Sequence, residues 1–555
     1  MVERKRKILG APLGNDVHVA GVLRFLRLAE AHGYETEFLG PAAGTEGIVQ
    51  AVLKYRPDIL GLSYRLTPDL VNGLVREVAA GLEKAGLGET ILIFGGTPAA
   101  AAAAEATGVF QRVFSGLEGI DEIVAYLQGR EQEASSQRYA DQLLPRLEGK
   151  RPYPLLRHHF GLPSLEATLQ GVREIAEAKV VDIISIGPDQ NAQASFFRPE
   201  EMDPLQDGAG GVPLRHPQDL YDLYQASRCG NYPLLRIYSG TRDLLQWAEL
   251  AVDSINNAWG AIPLCWYSEL DGRSDRPLAA ALAENLAAMA WYAERGLPVE
   301  VNESHHWSLR EAPDSVAVVM AYLAALFAKK QGVKHYVAQY MFNTPYGTWY
   351  NHDLAKMLAK KELITSLHDD NFRSYTQVRT GLASLDVNLH KAKGQLASSI
   401  HLALSLQPDI VHVVGYCEAS HAATAADVIE SCEIVTGVLQ NTIDGLPDLN
   451  SEPTIQARKA VLLQEAQQLL AVLHELSEPG VELGSDPQVL VKAIKAGILD
   501  APHLRGSKVA LGKVQTQLND GFCVAVHPET GKAMSEAERL ELLLGKKTAV
   551  CSSVG

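Results

Sequence analysis

Asp16-Val17-His18-Val19-Ala20-Gly21 is the stretch whose reading decides the fold of the N-terminal part. A strand-like run, Lys7-Ile8-Leu9-Gly10, precedes it, and a helix-like run from Val22 to His32 follows. Asp16 and His18 therefore fall on a loop at the carboxyl end of a first strand, where open α/β sheets hold their ligands. An Asp two residues before a His can hold one ring nitrogen and fix the tautomer, as carboxylates do behind metal-bound imidazoles. Gly21 permits the close approach that a bulky ligand needs.

Outward from this loop the pattern alternates to about Gln128. Ile8, Ile59–Leu62, Ile91–Phe94 and Arg112–Phe114 read as short strands, and 20–32, 45–54, 69–86, 98–107 and 119–128 as amphipathic helices. This predicts a parallel, doubly wound, Rossmann-like or flavodoxin-like sheet over residues 1–128. Pro98 suits the first turn of its helix, and the Ala99–Ala104 run behind it reads as helix packing. Two more loops end predicted strands: Ser63-Tyr64-Arg65-Leu66-Thr67 and Gly95-Gly96-Thr97.

Taken together, Asp-x-His-x-x-Gly and these two loops resemble the signature of cobalamin-binding domains that exchange the cofactor's own lower base for a protein imidazole. The resemblance implies that His18 is the lower ligand of cobalt and that Asp16 tunes it. It assigns Gly21, Ser63, Leu66, Thr67, Gly95, Gly96 and Thr97 to the cofactor, the Ser and the paired Gly lining the slot for the nucleotide tail. Each piece ends a predicted strand, which is the context the motif requires.

Composition sets the outer bounds. A chain of 555 residues exceeds one core, so two or three domains are expected. With 46% hydrophobic and 21% charged residues it reads as an ordinary globular protein, and a net charge of -16 argues against nucleic acid or an anionic membrane as partner. No long apolar run and no signal peptide is evident, and Cys229, Cys265, Cys417, Cys432, Cys523 and Cys551 form no C-x-x-C pair. Free thiols, a cytoplasmic location and a homodimer are the expectation.

Residues 129–154 read as a charged linker ending in Pro152-Tyr153-Pro154. From 155 to 447 the alternation returns with a longer period. Candidate strands are Val181–Gly187, Leu234–Ser239, Ile262–Tyr267, Val299–Asn302, His335–Tyr340 and Ile410–Tyr416; helices are expected over 164–178, 217–228, 241–257, 278–295, 313–331, 371–384, 389–406 and 421–440. Such units closing on themselves make a (β/α)8 TIM barrel whose carboxyl-end loops form one mouth. Polar strand ends would converge there: Gln190-Asn191 and Gln193, Arg236 with Tyr238 and Ser239, Trp266-Tyr267, Asn302 with His305-His306, and Gln339 with Asn343. If His305 and His306 continue a strand they point to opposite faces, which argues against zinc there. Residues 448–555 read as a helical and α+β extension.

The larger part resembles the catalytic (epsilon) subunit of glutamate mutase, an adenosylcobalamin-dependent carbon-skeleton isomerase. The similar stretches are His305-His306-Trp307 with the helix from Asp314, His335–Tyr340, and Lys492–Pro502. The resemblance implies a barrel whose mouth faces the corrin and in which a 5′-deoxyadenosyl radical takes hydrogen from a small-molecule substrate. The departures bear on which one. That family grips a dicarboxylate with three arginines; those positions fall at His159, Gln193 and Tyr238, and its lysine and glutamate by the adenosyl ribose fall at Gln339 and Asn343. Arginine forks are natural receptors for carboxylates, so glutamate is excluded, with Arg236 able to restore one contact. The expectation is a radical isomerase in which Tyr238, His305 and Gln193 touch substrate or adenosyl group, and Asn191, Gln193, Arg236, Trp266, Tyr267 and His306 bind the substrate. A corrinoid methyltransferase and a non-catalytic cobalamin sensor are the alternatives. An aminomutase using pyridoxal phosphate would need a Schiff-base lysine, and the loops 10–21, 63–68 and 95–98 have none.

Overall fold

A computed structural model describes residues 5–133, 138–238, 240–381, 384–442 and 445–545, the side chain of Asn519 excepted. Ser239 of the expected mouth lies outside the described residues. The chain forms two compact units, one of residues 1–138 and 148–153, the other of 139–147 and 154–555.

In the first unit five strands, β1 (Lys7–Pro12), β2 (Glu35–Phe38), β3 (Ile59–Tyr64), β4 (Ile91–Gly96) and β5 (Arg112–Phe114), form a sheet of order β2-β1-β3-β4-β5. All ladders are parallel. This order reverses direction between β1 and β3, so the loops after those strands flank the crevice where such sheets bind ligands. β2 escapes an apolar-run search because its residues alternate between exposed and half-buried at the sheet edge. Helix α1 (Ala20–Ala31) buries Val22, Leu26 and Ala29 on one stripe. Leu60, Leu62, Ile48, Val52, Val75 and Phe94 close the core, each large apolar side chain contributing about 1.5–3 kcal/mol. Gly96 is required by packing: a Cβ there would stand 2.7 Å from the Tyr64 carbonyl oxygen.

The second unit carries eight strands: β6 (Leu155–Phe160), β7 (Ile183–Ile186), β8 (Leu234–Ile237), β9 (Gly260–Ile262), β10 (Val299–Val301), β11 (His335–Phe342), β12 (Arg373–Thr380) and β13 (Ile410–Val413). Their order, β8-β7-β6-β13-β12-β11-β10-β9, makes a nearly closed parallel barrel. At the seam between β8 and β9 the Ala258 amide donates to the Leu235 carbonyl at 2.9 Å, and the Ile237 amide to Asn257 Oδ1 at 3.1 Å.

Two elements differ from expectation. The helix expected over 371–384 is strand β12, and β6 was not foreseen at all. Both carry charged or polar side chains on the face turned into the barrel, Arg373, Tyr375, Gln377 and Arg379 on one and Arg157 and His159 on the other, so neither shows the apolar run of a buried parallel strand. The last hundred residues are built into the second unit. Helix Pro453–Leu476 packs on helices Asp314–Lys330 and Tyr350–Thr365, and buried Asp314 takes ion pairs from Lys356 at 3.2 Å and Arg458 at 3.4 Å. The expected α+β element there is the antiparallel hairpin β14 (Thr516–Asn519) with β15 (Phe522–Ala525), tied to Asp314 by the Cys523 amide. Among the described residues, no helix is long and apolar enough to cross a membrane.

Candidate functional site

The first unit places Asp16 and His18 on the loop between β1 and α1. Asp16 is fully buried, whereas the His18 side chain is 46% exposed. Asp16 Oδ1 accepts both the His18 backbone N–H at 2.8 Å and the ring Nδ1–H at 2.7 Å. Its Oδ2 accepts the Arg65 N–H at 2.6 Å, which ties the loop after β3 to the loop after β1. A carboxylate only accepts, so Nδ1 carries the proton and Nε2 presents its lone pair outward, the tautomer a metal ligand needs. Val17, Leu66 and Leu70 are exposed apolar side chains on the same loops.

The surrounding residues fit a large flat cofactor with a tail. Ser63 Oγ is buried and has no hydrogen-bond partner. A Cβ at Gly21 or Gly95 would meet nothing within 4 Å, so both leave open space at the strand ends. Ser63 and Gly95 are paired in the β3–β4 ladder. Thr97 caps helix α4 (Pro98–Glu105), its Oγ1 accepting the Ala100 N–H at 3.4 Å, and Thr67 stands exposed on the β3 loop.

In the second unit the barrel interior is layered, as inward side chains alternate along each strand. The lowest layer is apolar: Leu155, Ile183, Leu234, Trp259, Val337 and Ile410, with Tyr375 packed against them and Leu143 and Leu147 closing it from below. The next layer is ionic. Glu300 Oε2 accepts from Arg157 at 3.1 Å, Arg236 at 3.0 Å and the Trp259 indole at 2.7 Å, and its Oε1 accepts from Gln377 at 3.0 Å. Burial alone would raise the Glu300 carboxyl, but Arg157 and Arg236 prevail and hold it at about 2.

Above lies a histidine-rich layer. His159 stacks on His412 at 4.6 Å, meets Tyr238 edge-on at 5.3 Å, and accepts a hydrogen bond from Arg157 at 3.1 Å. Gln377 donates to Gln339 at 3.2 Å and Gln339 donates to His305 Nδ1 at 3.1 Å, so a chain of bonds runs from the ionic floor to His305. His305 and His306 sit together on a short helix, Ser304–Ser308, both buried, with ring centroids 4.4 Å apart. They do not point to opposite faces, because the chain turns helical straight after β10. Trp266 and Tyr267 flank His306 at 5.6 and 5.9 Å. Burial, reinforced by neighbouring guanidinium charge, pushes His159, His305, His306 and His412 well below the ordinary imidazole range, so all are neutral at pH 7.

The barrel thus gathers Tyr238, His305, His306, Trp266, Tyr267 and Arg236. Arg236 is fully buried in the floor beside Glu300, with its Nε and Nη1 unpartnered. Asn191 and Gln193 have other work. Asn191 binds the Asp203 backbone on both sides of its amide and also Asp207, and Gln193 donates to the Pro188 carbonyl at 2.7 Å. Arg379 was missed, because its strand was read as a helix; the alternation Arg373, Tyr375, Gln377, Arg379 was the available signal. Outside the lumen, Cys417, His421 and Asp427 have ligand atoms within 4.8 Å of one another. The Asp427 carboxylate already accepts from Tyr416, Thr424 and His421.

Comparison with known proteins follows the two units. Residues 6–124 match the B12 binding domain family, and residues 278–535 match the methylaspartate mutase E chain. Among solved structures, a novel cobalamin-binding protein from Desulfitobacterium hafniense DCB-2 is similar at 31% identity, covering 20% of this chain and 53% of its own, with a TM-score of 0.18. This chain therefore spans about half of that protein's length. The cobalamin-dependent S-adenosylmethionine radical enzyme OxsB aligns at 10% identity over 86% of this chain and 69% of its own, with a TM-score of 0.19. Superpositions this poor carry no argument. No curated protein matches. The chain joins an N-terminal B12 binding domain to a barrel unit whose C-terminal half is that of a methylaspartate mutase E chain.

Proposed function

We propose that this cobalamin-dependent protein is an adenosylcobalamin-dependent radical isomerase of the carbon-skeleton mutase type, acting on a small substrate other than glutamate. The observation that carries the proposal is the barrel lumen: a polar chamber sealed below by an apolar layer, floored by a fully satisfied Glu300 and roofed by neutral histidines. Radical chemistry needs a site that keeps water and stray protons away from a reactive intermediate, and a closed chamber with uncharged imidazoles supplies one. Bound adenosylcobalamin supplies a hydrogen-abstracting carbon radical through homolysis of its cobalt–carbon bond.

The chain's own residues do the rest. His18, fixed by Asp16, offers Nε2 as the lower ligand, and Ser63, Gly21 and Gly95 leave the slot beside it. In the lumen, His305 is oriented by Gln339 and, with Tyr238, faces the substrate; Trp266, Tyr267 and His306 form an aromatic wall. The match to the mutase E chain begins at residue 278, so His159, Gln193 and Tyr238, which stand at the family's arginine positions, all precede it. Divergence in that half is what a changed substrate requires.

The test is reconstitution with adenosylcobalamin and, separately, methylcobalamin, followed by absorbance during substrate screening. Tight binding of the adenosyl form, with cobalt–carbon cleavage triggered by a substrate, is expected. Transfer of the methyl group to an acceptor, with no cleavage of the adenosyl form, would instead make the barrel a methyltransferase module.

A further inference from the structure

The lumen holds more positive charge than the protein neutralises. Arg157 and Arg236 share Glu300. Arg379, two residues beyond Gln377 on β12, has no ion pair and no hydrogen bond among the described residues, and its Nε is buried without a partner. Arg236 Nε and Nη1 are likewise buried and unpartnered in a side chain with no exposure at all. Unpaired guanidinium donors out of water are costly unless a ligand meets them.

The carboxylates facing this region are all engaged. Glu300 accepts from Arg157, Arg236, Trp259 and Gln377. Glu303 accepts from the Cys265 amide and the Trp307 indole, and burial raises it to about 7. Asp271 sits between Arg310 and Arg273. No carboxylate is left for a substrate ammonium, and the imidazoles of His159, His305, His306 and His412 lie within reach of the Arg379 charge.

We infer that the substrate is a small organic anion without an ammonium group, and that Arg379 is the receptor for its acidic group. This rests on the lumen being the substrate site. It separates the chain from an amino-acid mutase by chemistry: a guanidinium fork binds a carboxylate or a phosphate bidentately, while the neutral histidine and aromatic wall accepts the uncharged remainder. Arg379 comes from a different strand than the positions at His159, Gln193 and Tyr238, so the acid is gripped from the opposite side of the seam-to-β13 arc.

The experiment uses the full chain without cobalamin and measures binding by ligand-detected NMR for isobutyrate, isobutyramide, 3-aminoisobutyrate and inorganic phosphate. The acid should bind about tenfold or more tightly than the neutral amide or the zwitterion, the margin of a charge-assisted bidentate contact. Arg379→Met should abolish that preference and Arg379→Lys restore part of it, with far-ultraviolet circular dichroism unchanged, since Arg379 supports no protein contact. Phosphate binding more tightly than isobutyrate would identify the acidic group as a phosphoryl one, within the same assignment. Equal affinity for acid and amide, or a preference that survives Arg379→Met, would overturn it. An intact preference in a protein that cleaves adenosylcobalamin with no acid tested would sink the isomerase proposal and leave this one standing.

Discussion

Replacing Glu300 with glutamine keeps the shape of the barrel floor and removes the charge that Arg157 and Arg236 share. The carboxyl is held at about 2 in the folded barrel against 4.5 when exposed, which corresponds to about 3 kcal/mol at about 1.4 kcal/mol per pH unit. Breaking a buried ion pair by removing one partner costs about 3–5 kcal/mol, because the remaining charge stays buried. Both routes give the same order, so Glu300→Gln should lose about 3 kcal/mol at pH 7. The Trp259 indole donates to Glu300, so its fluorescence reports the floor directly during urea unfolding. The folded-state value is depressed, so the stabilisation is complete above about 4.5 and disappears as the pH falls toward about 2. The gap between wild type and variant should therefore narrow in that window. A loss below about 1 kcal/mol at pH 7, or a gap unchanged at pH 3, would refute the account of the floor as a charge-paired layer.

The cobalamin loop gives its own tests. His18→Ala should remove protein nitrogen splitting from the electron paramagnetic resonance of the reduced cofactor; splitting that persists would show that another group holds the cobalt. Asp16→Asn should weaken cofactor affinity by about 10–100-fold, the usual effect of losing the carboxylate behind a ligating imidazole, as measured by titration of absorbance. Gly96→Ala forces a methyl against the Tyr64 carbonyl at 2.7 Å, and should cost about 1–3 kcal/mol in thermal or urea unfolding. Incubation of the reconstituted protein with glutamate should produce no 3-methylaspartate by chromatography; any turnover would mean that the replaced arginine positions do not set specificity.

The Asp16–His18 loop was legible because its chemistry is local: two residues apart, they bond each other, and a strand before and a helix after place them at a sheet edge. Amphipathic periodicity gave the helices around β1, β3 and β4 for the same reason. The barrel's working face was not legible in that way. β12 carries Tyr375, Gln377 and Arg379 inward and Thr376 and Val378 outward, an alternation that apolar-run criteria reject, and β6 hides Arg157 and His159 similarly. Those strands are polar because they line a chamber, and only the closure of the sheet tells a lumen face from a surface one.

Sequence alone therefore determined the class of each part, the cobalt-facing imidazole and the absence of arginines at His159, Gln193 and Tyr238. Tertiary structure decided the rest. It placed His305 beside His306 by turning the chain helical after β10, committed Asn191 to the 203–207 loop, and brought Arg157, Arg236 and Glu300 from separate strands into one ion-paired floor. The physical reason is range. Tautomer, capping and periodicity act over a few residues, whereas the balance of charge in a barrel is a sum over strands as far apart in sequence as Arg157 and Gln377.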